Sequence, residues 1–170
     1  SLSGAEFANI LLFDEEGNVL ESIDPLGAPP LPLRMRPRGF TRLILETGKP
    51  LHIREIRPDG STDPVVRDEE GQVIPANPAL VEAGIRSLAG FPLLIRGKPR
   101  GVFFVHSRRS AALAEAFPIL SLLAGHAGIA LENAELYEKL AQGEAFYRTL
   151  FEESPISLWL EDFSAVKKRL

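Results

Sequence analysis

The chain has no cysteine. That excludes disulfides, thiolate nucleophiles, thiolate zinc sites and thioether-linked chromophores together. It also fits a reducing, cytoplasmic setting. There is no excess of positive charge: the formal net charge is −4 over 170 residues, against wholesale binding of nucleic acid. No apolar run approaches the roughly 18 to 20 residues that span a bilayer, and no basic start followed by an apolar stretch reads as a signal peptide. The opening Ser1-Leu2-Ser3-Gly4 lacks an initiating Met and stands directly before a strand, so it reads as the edge of a piece cut from a longer chain. Internal repeats and low-complexity tracts are also missing. What remains is 45% hydrophobic and 25% charged residues, the balance of one soluble domain with a short extension.

Residues 5–13 and Val19–Ile23 flank Asp14-Glu15-Glu16-Gly17-Asn18 and predict a hairpin. Residues 24–37 hold five prolines, which excludes a helix or a central strand and leaves an extended surface connection. Phe40, Leu43 and Ile44 have helical spacing, and Gly48 with Pro50 stops that helix. Leu51 to Ile56 alternates and predicts one strand. Residues 57–76 read as a long loop, a length that is often functional. Asn77-Pro78 opens a short helix that Gly84 ends. Arg86–Arg96 and Arg100–His106 are two strands; the second, with Val102-Phe103-Phe104-Val105 unbroken by a polar residue, predicts cover on both faces. From about Phe117 a long helix runs past Tyr147. Its Gly125, Gly128 and Gly143 each cost about 1 kcal/mol relative to Ala, which close packing would offset.

Four of these segments, in order, resemble the GAF domain family over residues 5 to about 140. They are Gly39-Phe40-Thr41 through Ile53, Gly84-Ile85-Arg86-Ser87-Leu88-Ala89-Gly90-Phe91-Pro92-Leu93, Gly97-Lys98-Pro99-Arg100-Gly101-Val102-Phe103-Phe104, and Leu120 to Tyr137. The family's usual first helix has no counterpart. The tail, Phe146 to Leu170, is similar to the start of a PAS domain, with Ser154-Pro155 followed by an aromatic segment; about 25 residues are too few for a PAS core. The resemblance implies an α+β fold: an antiparallel sheet of about five to six strands flanked by helices, with a long C-terminal signalling helix. It implies a sensory domain over 1–140, a linker helix over 141–155 and a truncated PAS start over 156–170. It further implies a bacterial signalling protein with a histidine kinase or diguanylate cyclase output.

By family position, a small-molecule pocket lies under the 57–76 loop, lined by Phe40, Leu43, His52, Ile56, Ile85, Ser87, Phe91 and Phe104, with Arg86 at its edge. Arg34, Arg36, Arg38, Arg42 and Arg86 suit an anionic ligand; they equally make a solvated rim balanced by Asp59, Asp63, Asp68, Glu69 and Glu70. His52, His106 and His126 share no metal-ligand spacing. No nucleophile elbow or acid–base pair is visible, so catalysis is not expected. Activities of GAF relatives that use cysteine, or an Asn-Lys-x-Asp-Glu-type signature for cyclic nucleotides, lose support. No cofactor is named by the residues.

The long helix carries two stripes. Ile119, Leu122, His126, Ile129, Asn133, Leu136 and Leu140 alternate by three and four, a heptad seam fit for a parallel homodimer. Leu120, Leu123, Ala127, Ala130, Ala134, Tyr137 and Ala141 form the stripe expected to face the sheet. The expectation is a non-catalytic, ligand-binding sensory module that transmits through this helix. A ligand-free dimerisation scaffold and a haem or metal gas sensor are the alternatives.

Overall fold

A computed structural model describes residues 4–23 and 35–153. Most of the proline-rich connection, Arg34 and the PAS-like tail from residue 154 lie outside these. The described chain divides into two compact units after Ile129.

In the first unit the sequence folds mainly by strand pairing. β1 (Phe7–Phe13) and β2 (Val19–Ile23) form the expected hairpin. Asp14 closes its turn: Oδ1 accepts from the amides of Glu16 and Asn18 at 2.9 and 2.8 Å, and Oδ2 from the Asn18 side chain. These bonds, led by the one from the Asn18 side chain, hold the Asp14 carboxyl below its ordinary pKa. α1 (Phe40–Thr47) ends at Gly48, whose left-handed φ of 63° lets its amide reach the Ile44 carbonyl. α2 (Pro78–Glu82) starts at Asn77, whose side chain accepts from the Ala79 amide at 3.1 Å. β6 (Ser87–Ile95) and β7 (Lys98–Ser107) are joined by Arg96-Gly97, both at positive φ, a tighter turn than residues 96–101 suggested.

The expected strand over Leu51–Ile56 divides at Arg54. β3 (Leu51–Ile53) pairs with β6. β4 (Glu55–Ile56) leaves to pair with β5 (Thr62–Asp63). The main sheet is antiparallel with order β2-β1-β7-β6-β3. The 57–76 loop is anchored: Val66, Ile74 and Ala76 belong to the buried core.

Strand alternation then sorts the sheet into two faces. Leu88, Gly90, Val102, Phe104 and His106 share one face with Asn9 and Leu11, and α1 packs on it through Ile44. Ala89, Phe91, Leu93 and Val105 share the other, where Phe117 opens α3 (Phe117–Glu153). Both faces of β7 are covered, as its unbroken apolar run predicts: Val102, Phe104 and Val105 are all buried.

α3 meets the sheet through Leu120, Ala124 and Gly128, spaced by four. This corrects the expected inward stripe, because Leu123 is exposed and only Leu120 of its first two members is buried. The helix needs a small residue at Gly128: a Cβ there would stand 2.8 Å from the Leu94 carbonyl oxygen. Gly125 and Gly143 have open space instead, so close packing accounts for one of the three glycines. The same substitution therefore has opposite signs along one helix. Gly128→Ala destabilises by about 1–2 kcal/mol from overpacking, and Gly125→Ala stabilises by up to about 1 kcal/mol from helix propensity. Urea unfolding of the two variants checks the contrast.

Candidate functional site

On the α1 face of the sheet, the segment entering α1 and the start of α2 leave a cavity. Its empty volume is about 660 Å³, part of it open to solvent. Leu11 and Phe13 of β1, Val19 of β2, Leu88 of β6, and Phe104 and His106 of β7 form one side. Met35, Arg36, Gly39, Phe40 and Thr41, with Asn77 and Leu80, form the other. Apolar walls with a few polar groups are the usual character of small-ligand sites.

His106 is the unusual member. It is 1% exposed, its ring stacks on Phe104 at 5.8 Å, and its Nδ1 has no hydrogen-bond partner. Burial pushes its pKa down to about 4, so the ring is neutral at pH 7. Asn9 stands opposite Phe104 across the β1–β7 pair, and its buried Oδ1 is also without a partner. A buried polar atom left unpaired costs about 1–3 kcal/mol. Of the two, His106 is among the residues lining the cavity.

Arg36 is the cavity's cation. Among the described residues it has no ion pair, and no acidic side chain lines the cavity. The other arginines of the expected cluster are engaged: Arg38 with Asp68, Arg42 with Glu46 at 2.8 Å, and Arg86 with Glu55. Glu55 is held below its ordinary pKa, first by the Ser110 hydroxyl and then by Arg86. Beside Arg36, Gly39 caps α1 in an extended conformation without any side-chain cap. The first intrahelical bond is the Leu43 amide to the Gly39 carbonyl, so the amides of Phe40, Thr41 and Arg42 have no acceptor among the described residues.

Of the residues expected to line a pocket, Phe40 and Phe104 meet at this cavity. Ile56 and Ile85 are fully buried core. Leu43 lines a separate open groove with Arg38, Arg42 and residues 68–70. Arg86 is on the Glu55 ion pair. His52 and Phe91 lie on the opposite face, where both rings pack on Phe117 at 4.8 and 4.9 Å, and Ser87 faces that way too, bonding the Arg109 carbonyl. Burial, then Arg54, lowers the His52 pKa. The cavity thus sits at the α1 and α2 starts, not beneath residues 57–76. The sequence offered His106 only as a strand-end histidine without metal-ligand spacing, although a period of two along β7 places it on the face of Phe104.

The heptad stripe is bare. Ile119, Leu122 and Ile129 are 44%, 57% and 59% exposed, Leu136 and Leu140 42% and 69%, and His126 and Asn133 are exposed as well. Among the described residues no group of three or more His, Asp or Glu could hold a metal, and no helix is long and apolar enough to cross a membrane.

A model of the GAF domain family matches residues 1–131. Solved structures share the fold. The GAF domain of a two-component sensor histidine kinase from Bacillus halodurans is 17% identical, with 79% of this chain and 86% of that one covered at a TM-score of 0.53. The GAF region of a Geobacter sulfurreducens PCA protein is 22% identical over 76% of this chain and 82% of that one, TM-score 0.52. The GAF domain of an Acinetobacter phosphoenolpyruvate-protein phosphotransferase is 16% identical over 79% and 75%, TM-score 0.51. At these identities the likeness is one of fold. No individually curated protein matches the sequence.

Proposed function

The chain belongs to the GAF domain family, and from that premise we propose that it is a non-catalytic sensory input module. It binds a small molecule in the cavity between α1 and the sheet and transmits through α3. The observation that carries this is the buried ring of His106, its Nδ1 unpartnered, among the residues that line a mainly apolar cavity. A ligand that reached it would satisfy such a group.

Transmission is read from α3. Its bare seam, Ile119 to Leu140, pairs with the same seam of a second copy in parallel, and Asn133 within it fixes the register. The same sheet carries His106 on one face and the Phe91–Phe117 contact at the start of α3 on the other. A ligand that shifts β7 and β6 therefore reaches α3 through side chains already packed. Downstream, the resemblance of residues 146–170 to a PAS start leads toward a kinase or cyclase output in a cytoplasmic bacterial signalling protein.

A thermal-shift screen of small acids, amides, amines and alcohols tests the ligand step. A ligand at about one hundred times its dissociation constant raises the melting temperature by roughly 5 °C or more. Thr41→Trp, which fills the cavity from its half-buried wall, abolishes that rise. Firm dimerisation with no compound shifting the wild type would instead leave a scaffold without a ligand.

A further inference from the structure

The polar groups around the cavity are specific enough to name a ligand class, and the inference rests on the sensory reading above. We propose that the ligand is a small monocarboxylic acid with an apolar body and a hydroxyl group. Its carboxylate lies on Arg36 and the open start of α1, and its hydroxyl meets His106.

The anion end follows from charge. Among the described residues Arg36 is the one cationic side chain on the cavity wall, it has no carboxylate partner, and no acidic residue lines the space. Next to it, Gly39 leaves α1 without a side-chain cap, and Gly39, Phe40 and Thr41 line the same cavity. Guanidinium and helix-start amides both favour an anion. A single cation matches a single negative charge. A dianionic phosphate would bring a second charge that none of the described lining residues offsets.

The other end follows from His106. Its ring is neutral and almost wholly buried, and Nδ1 is unpaired. A neutral imidazole nitrogen accepts or donates according to tautomer, and a hydroxyl serves in either role. Phe13, Phe40, Leu80, Leu88 and Phe104 supply apolar contact for a body of about one ring.

Five probes of similar shape separate the possibilities: 4-hydroxyphenylacetate, its neutral amide, phenylacetate, tyramine and phenyl phosphate. Melting temperature and 15N resonances of the histidine rings are followed in the intact chain. The acid binds best, at least tenfold more tightly than the amide, and Arg36→Gln removes that preference. The His106 Nδ1 resonance moves further with 4-hydroxyphenylacetate than with phenylacetate, which lacks the hydroxyl. This wild-type readout is independent of how any His106 variant folds. Equal or tighter binding of the amide, tyramine or phenyl phosphate overturns the carboxylate assignment while leaving a ligand-binding domain in place. No binding by the acid overturns it too; silence across the wider screen would remove the sensory reading itself.

Discussion

Between pH 7 and pH 4, His106 alone removes about 3 kcal/mol of folding stability. The sign follows from its depressed pKa. The folded ring stays neutral down to about pH 4, whereas in the unfolded chain it takes up a proton near 6.5. In that window the unfolded state binds more protons, so stability falls as the pH falls. Below about 4 the folded ring protonates as well and the loss from this residue levels off. His106→Phe keeps a ring against Phe104 and cannot titrate, and His106→Gln serves as a second neutral variant. Urea midpoints at fixed protein concentration then show a shallower pH dependence in both variants. Part of the slope persists, because the His52 pKa is lowered in the same direction. The lowered carboxylates Asp14, Glu55, Asp59 and Asp68 act in a more acidic window, so they do not mimic the effect. Equal slopes in wild type and both variants would mean that the imidazole is not held neutral by burial.

The second large effect concerns assembly. Ile129→Asp combined with Leu136→Asp raises the dissociation constant of the proposed homodimer more than one hundredfold. In a separate chain these side chains are exposed, and substitutions at such places usually change stability by no more than about 0.5 kcal/mol. Only a partner makes them expensive to replace, since each dimer would bury four carboxylates in an apolar seam. Analytical ultracentrifugation over a concentration series reads the shift, and circular dichroism shows that the variant still folds. A wild-type chain that stays monomeric at high concentration would remove the basis for pairing.

Much of the fold is legible in the sequence because local chemistry decides it. Gly48 and Asn77-Pro78 mark helix ends by their own backbone preferences, and the run Val102 to Val105 announces a strand covered on both sides. Where the outcome depends on partners, the pattern misleads. Leu51 to Ile56 alternates without a break, yet pairing passes from β6 to β5 at Arg54, and nothing in the alternation marks that exchange. On α3 the inward line runs Leu120, Ala124, Gly128 because the helix approaches the Leu94 backbone, a contact that no helical period reveals. The site is subtler still. Phe40 and Phe104 are recoverable as apolar residues near a family position. Phe91 and Ser87 share β6 with Leu88, and one step along a strand turns a side chain to the other face. His106 looks like an ordinary strand end until its neighbours show that Nδ1 has none of the partners a buried nitrogen needs.

In the proposed assembly α3 joins two copies in parallel and carries the state of the cavity along that seam. A chain without cysteine allows a direct test, because a single Asn133→Cys substitution introduces the only thiol. In a parallel, in-register pair the two new thiols face each other. Under mild oxidation they form a covalent dimer in high yield, and the rate changes at least twofold when 4-hydroxyphenylacetate or a ligand from the screen fills the cavity. Failure to cross-link would rule out parallel pairing through α3, and a rate that ligand binding leaves unchanged would rule out transmission along it.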